Sequence, residues 1–367
     1  MSAEQSPSVQ RFQCPGCSAG MEFDPKSGAL KCPYCGTTQA ISRELNDAVR
    51  EIPYDQYGDP SRLEKISRTA IQITCASCGA TIQCEPAEMT GACPFCAANF
   101  VSQAKAADPL VAPNAVLPFQ LAKDQAAAGV RQWLQDLWFA PSDLKKIARP
   151  EGIRGIYTPF WTFDAGAETA YQGRRGEYYY VNETYYTTDS NGRQVRMERQ
   201  VRHTRWYPAS GQVTNTFDDV LVPATRSIDA ARLSKLEPWD LAQVQPYDPA
   251  YLPGFQAQRY QVELPEGLET AKVLMGHAIE HSVREDIGGD EQIIDALDTS
   301  WRDITFKHLL LPVWIGAYRF HGKVYQVIVN ARTGEVQGER PWSAAKLALL
   351  IAAVLAALVI VAKLWPN

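Results

Sequence analysis

From residue 71 to residue 104 the chain carries no lysine and no arginine, against Glu85 and Glu88. Phosphate backbones are held chiefly by such cations, so this stretch makes a poor nucleic-acid surface. The net charge of −5 over the whole chain points the same way. The opening MSAEQSPSVQ has neither a basic start nor an apolar run, which argues against a secretory leader there. A phosphate loop is lacking too. In 316–323 five residues separate the glycines, and Val324 stands where Ser or Thr is required. His277, Glu280 and His281 match the H-x-x-E-H pattern of a zinc peptidase. Helical spacing, however, puts Leu268, Met275 and Ile279 on the buried face and both histidines nearly opposite. No Ser/His/Asp set is suggested, so no catalytic residue is identified and no enzyme is expected.

Cysteine, by contrast, is used with regularity. Cys14, Cys17, Cys32 and Cys35 read C-x2-C-x14-C-x2-C, and Cys75, Cys78, Cys93 and Cys96 repeat that spacing 61 residues later. Two residues between cysteines make a tight knuckle whose thiolates converge, and two knuckles complete the four-sulfur shell that Zn²⁺ favours. Two structural zinc sites are expected, closed to catalysis because no coordination position is left open. A segment of about 30 residues buries too little surface to fold unaided, whereas zinc supplies about 10–16 kcal/mol of apparent binding energy. The ninth cysteine, Cys84, aligns with Phe23 when shifted by the repeat, which suits a small buried thiol. The zinc–thiolate charge makes each ribbon more acidic, so protein partners suit them better than nucleic acid. Tyr34 and Phe95 are the expected surface contacts.

One long apolar run is present. Between Lys346 and Lys363 lie sixteen residues without a charge, a polar side chain, Gly or Pro, and Trp342 and Trp365 flank them. At about 1.5 Å per residue the segment 342–365 is long enough to cross a bilayer as a helix, its tryptophans in the aromatic belts and its lysines free to snorkel. Lys323, Arg332, Arg340 and Lys346 precede it, against Lys363 alone after it. That imbalance places the bulk of the chain on the cytoplasmic side.

The remainder divides by composition. Residues 1–40 and 71–104 are the two ribbons, 41–70 a partly helical linker around residues 43–51, and 105–116 an Ala/Pro/Asp linker. Residues 117–340 read as an α+β domain with antiparallel sheet and two related halves, 117–225 and 255–340. Each half offers a helix, near 124–139 with Val130, Trp133, Leu134, Leu137 and Trp138 on one face, and near 266–286. Each then offers a strand with Pro-x-Trp, at Pro159 and Trp161 and at Pro312 and Trp314. A second short helix is expected from Pro141. Inside the first half, 177–188 and 194–207 read as a hairpin around a turn at 189–192. Its arginines either meet anionic lipid heads or pair with neighbouring acids.

The paired ribbons, GIYTPFWTFDA (155–165), FDDVLVPA (217–224), LLLPVWIGAYRF (309–320) and the terminal span together resemble a bacterial family. Its members are zinc-ribbon membrane proteins commonly labelled primosomal protein N′ (replication factor Y) or replication-restart helicase homologues. The helicase motors of that label are missing here. Members are often encoded near SPFH-domain and phage-shock-protein-A-like membrane proteins. The resemblance therefore implies a single-pass protein of the bacterial inner membrane, acting in membrane organisation or envelope stress beside such partners. The expected function is a non-enzymatic, membrane-tethered adaptor. A membrane-held nucleic-acid-binding factor linked to replication is the alternative.

Overall fold

The computed structural model describes residues 12–41, 49–58, 71–75, 81–84, 90–93, 95, 99–101, 105–106, 111–144, 152–188, 192–321 and 323–364. In chain order the strands are β1 (Glu22–Asp24), β2 (Ala29–Lys31), β3 (Thr38–Gln39), β4 (Ile52–Pro53), β5 (Ile71–Thr74), β6 (Thr81–Cys84), β7 (Thr90–Ala92), β8 (Asn99–Val101), β9 (Lys105–Ala106) and β10 (Ala115–Val116). Helix α1 (Lys123–Asp136) follows, then β11 (Arg154–Thr188), β12 (Gln194–Pro223), the short α2 (Ala230–Ser234), β13 (Gln245–Pro246) and β14 (Gln256–Gln258). Helix α3 (Leu264–Ile287), β15 (Glu291–Phe320), β16 (Lys323–Asn330), β17 (Val336–Gly338) and α4 (Ala344–Leu364) complete the chain. The architecture is mixed α/β around one large, mostly antiparallel sheet.

Two long strands, β11 and β15, run antiparallel at the centre of that sheet, with Thr158 opposite Leu311. Each is flanked first by a short parallel strand and then by a long antiparallel one. For β11 these are β14 at Ile156 and Tyr157, then β12 from Phe160. For β15 they are β10 at Leu309 and Leu310, then β16 from Val313. Pro159 and Pro312 stand at the two changeovers. Their carbonyls face the outer neighbour, accepting Ala224 N–H at 3.0 Å and Ala331 N–H at 3.1 Å. Their nitrogens face the same side, in the gap between one neighbour and the next, where an N–H would lack a ladder partner. Proline is thereby tolerated in the middle of a sheet.

The tryptophan two residues later makes the two halves interlock. Trp161 donates its indole N–H to Val262 O (2.8 Å), and Trp314 donates to Leu121 O (2.9 Å). Both carbonyls lie just before a helix, α3 and α1 respectively. Strand β14 and helix α3 follow the first long hairpin in sequence but complete its layer in space. Leu268, Ala271 and Met275 pack on Trp161, Phe163 and Val222, and Ile279, Val283 and Ile287 pack on Ala167, Tyr171 and Val213. Conversely β10 and α1 complete the second hairpin, with Val130 and Leu134 among Tyr318, Phe320, Val327 and Val336. Each buried aliphatic or aromatic contributes about 1.5–3 kcal/mol. The buried face of each hairpin is thus supplied by the other half.

Both helices lie where apolar spacing places them, with one correction. Val130, Leu134 and Leu137 are buried, but Trp138 is 80% exposed. The helix ends at Asp136, and Leu137 has ψ 86°, so Trp138 leaves the helical register before it can join the face. The hairpin is also far longer than its Tyr- and Thr-rich part. Glycines, prolines and charges hide its extent, yet each has a place. Register slips at Gln172/Gly173, where an added Cβ would sit 2.4 Å from Ile293 O, so only glycine fits. The second short helix from Pro141 and the helix near 43–51 lie largely outside the described residues.

Because each half needs the other's helix, residues 105–225 and 255–340 produced separately should each give the collapsed amide spectrum of an unfolded chain. Produced together they should give a dispersed one. Nuclear magnetic resonance of the two preparations checks this.

Candidate metal centre

Two knuckles of the same geometry hold the first four cysteines, one closed by the Gln13–Gly20 bridge before β1 and the other between β2 and β3. Ser18 N–H reaches Cys14 O at 2.8 Å and Gly36 N–H reaches Cys32 O at 3.1 Å. In each knuckle the residue after the second cysteine has positive φ, 60° at Ser18 and 75° at Gly36. That left-handed residue turns the chain back so that both thiols point inward. Cys14 Sγ lies 3.4 Å from Cys35 Sγ, and Cys17 Sγ lies 3.5 Å from Cys32 Sγ. All four sulfurs fall within 4.8 Å of one another. Zinc–sulfur bonds of about 2.3 Å in a tetrahedron set sulfurs about 3.8 Å apart, so the cluster fits one Zn²⁺. Disulfides are excluded by the same distances, which are far beyond a bond of about 2.05 Å.

Local electrostatics prepare the site. The Thr37 hydroxyl against Cys35 Sγ (3.2 Å), with the Thr37 amide, lowers that thiol to about 6. Cys17, although an Ala19 amide favours its thiolate, is pushed up to about 12 by the Cys32 and Cys35 sulfurs beside it. Four sulfurs this close do not all ionise without a cation among them.

The ribbon so formed is seated on the rest of the protein. Phe23 N–H donates to Pro253 O at 2.9 Å, and the Phe23 ring meets Tyr251 at 5.4 Å and Phe255 at 6.3 Å. Tyr34, at the tip of the second knuckle, is 83% exposed.

Of the second set, Cys75 and Cys93 are both buried in one cluster with Phe160 and Leu311, and Cys78 and Cys96 lie outside the described residues. Cys84 closes β6, opposite Ile71. Through β6 this segment joins the main sheet, with Ile82 opposite Gln258 of β14. Phe95 is not the surface residue expected. It is buried, and its carbonyl accepts Gln326 Nε2 at 2.9 Å. Docking on the sheet buries Cys93 and Phe95, something cysteine spacing cannot report.

The two histidines of α3 face solvent, His281 beside Glu285 at 3.2 Å. Gly316 lies within β15, which is followed by β16 and not by a helix, and Gly322 lies outside the described residues.

A charged cluster beside β4 escaped the sequence. Lys307 Nζ contacts Asp219 at 2.6 Å, Glu51 at 3.2 Å and Asp164 at 3.7 Å, with its side chain only 12% exposed. Burial would lower this lysine, but the Asp219 hydrogen bond and the Asp164 charge raise it above its ordinary value. Asp164 also accepts the amide of Asp219 (2.6 Å), a residue held at φ 51° by a bulge between β11 and β12. The only sequence signal was the DD of FDDVLVPA, whose partners are scattered from residue 51 to residue 307.

Helix α4 contains an 18-residue apolar stretch, Ala344–Val361, none of it buried. Among the described residues it is the one helix long and apolar enough to cross a membrane.

No family model matches the chain, and no solved structure matches it. It is similar to the uncharacterized protein YdjG of Bacillus subtilis (strain 168), 23% identical over 341 residues that cover 92% of each chain. The likeness covers most of both chains, and it brings no activity with it.

Cys32→Ser should remove one equivalent of zinc, measured by elemental analysis, and should free Tyr251 and Phe255 from the ribbon. Lys307→Met should cost roughly 3 kcal/mol in urea unfolding by leaving carboxylates uncompensated. Adding Asp219→Asn should recover part of that loss, since the two positions are in contact.

Proposed function

We propose that this chain is a non-enzymatic, membrane-tethered scaffold of the bacterial inner membrane. Helix α4 spans the bilayer once, the folded bulk lies on the cytoplasmic face, and protein partners are bound there. Two zincs brace it, the second held by Cys75, Cys78, Cys93 and Cys96.

One observation carries this reading. Strand β15 begins at Glu291, opposite Gly176, and beyond that level β11 and β12 continue as a two-stranded arm, 177–188 against 194–205. Two strands alone are marginal in water. The face that α3 covers lower down continues here, uncovered, as Tyr179, Val181, Tyr185, Val195 and Met197. On the other face Tyr180 and Tyr186 are 62% and 67% exposed. Exposed aromatics and aliphatics on such a projection suit a protein contact. The resemblance supplies the kind of partner, an SPFH-domain or phage-shock-protein-A-like membrane protein.

The arm's arginines favour protein over phosphate. Arg196 pairs with Glu198, Arg199 with Glu183, and Arg175 at the arm's base with Glu177. Arg202 lies over the Tyr178 ring at 4.1 Å and Arg205 over Tyr179 at 4.9 Å. Cations matched to acids and rings release few counterions from a polyanion. These pairings weigh against the replication-linked alternative, which needs cations free to meet phosphate.

Replacing residues 178–204 by an Asn-Gly turn should leave membrane association and zinc content intact. Crosslinking in membranes should then lose the partner that the full-length chain captures. An unchanged partner set, or salt-sensitive DNA binding that disappears with the arm, would count against the proposal.

A further inference from the structure

The base of α4 is not joined to the domain by a loose tether. Three successive carbonyls just past the end of α1 are taken by the start of α4. Ser343 N–H donates to Phe139 O at 2.8 Å, and Lys346 Nζ donates to Trp138 O at 3.0 Å and Ala140 O at 2.8 Å. Phe139 and Trp342 lie ring against ring at 6.2 Å, and the Arg340 guanidinium sits over Trp342 at 4.6 Å. Leu137 and Ala140, on either side, are buried in the core beneath β16. Lys346 therefore does not snorkel into water. Its ammonium acts as the cation at the C-terminal end of α1, where unpaired carbonyls and the helix dipole favour one.

This fastening leaves one large side chain outside. Trp138 is 80% exposed, in contrast to its neighbours, and it stands beside Lys346. The charge-free run begins at the next residue, Leu347. With that run in the hydrocarbon layer, Trp138 and Trp342 lie together at headgroup depth, where an indole's apolar body and N–H are both accommodated.

We infer that the end of α1, through Trp138, is a second contact with the lipid surface. Lys346 locks it to the base of α4, so that the domain sits on the bilayer in one orientation with the arm pointing away. This rests on the reading of α4 as a span, and the lipid interface is continuous with that span. Tight hydrogen bonds to three consecutive carbonyls leave little freedom for the domain to swing.

The test uses full-length protein in nanodiscs of phosphatidylethanolamine and phosphatidylglycerol, with the photocrosslinker benzoylphenylalanine placed singly at Val354, Trp138 or Tyr186. Lipid adducts are expected at Val354 and at Trp138, and none at Tyr186 on the arm. With the probe at position 138, Lys346→Met should lower the lipid adduct several-fold while the Val354 adduct is unchanged. An adduct at Val354 without one at Trp138 overturns the inference and leaves the span standing. Equal adducts at Trp138 and Tyr186, or no effect of Lys346→Met, overturn the fixed orientation. No adduct at Val354 overturns the span itself, and the inference with it.

Discussion

Two indole N–H groups hold this architecture in register. Trp161 and Trp314 each reach from a central strand to a carbonyl at the start of a helix that belongs to the opposite half of the sequence. Burying an indole N–H without a partner is costly, and here satisfying two such groups fixes which helix covers which hairpin. The Pro two residues earlier marks where the outer neighbour changes, and the Trp marks where the covering layer is fastened. A domain built this way has no internal boundary at which it can come apart. Its long strands can therefore extend well past the core and still be anchored at the root.

That extension sets the layout. Strand β11 has 35 residues, a contour of roughly 115 Å at about 3.3 Å per residue. Its first residues pair with the part of β15 that leads through β16 and β17 toward α4, and its last residues form the arm. Helix α4 and the arm thus lie toward opposite ends of the same strand. Partway along, bulges on both sides of Asp164 bend the sheet, and Lys307 holds the acids gathered there. The first ribbon rests near the root, on Tyr251 and Phe255. A zinc held by its four cysteines would act on the fold through that seat.

Much of this was legible in the residues, and what was not has physical causes. The four N-terminal cysteines, the terminal apolar run and the two amphipathic helices follow from spacing alone, because each is a local pattern. The paired Pro-x-Trp strands could be seen, but not that they lie against each other, since register is a non-local choice. Strand length was hidden because Gly166, Gly173 and Gly176 interrupt the β-forming residues of β11, and such glycines are explained only by the backbone or side chains that approach them. Trp138 fitted the helical stripe in sequence and left it in space because the helix stops two residues before. Phe95 was buried by docking on the sheet, and Glu51, Asp164, Asp219 and Lys307 came together only through folding.

The central claim is that the arm meets a protein while the opposite end holds the membrane. It is tested most directly by photocrosslinking from Tyr180 and Tyr186 of the full-length chain in its native membrane, followed by identification of what is attached. Covalent adducts to a membrane-associated protein at both positions are the expected result. Adducts to nucleic acid or to lipid at those positions would contradict the account.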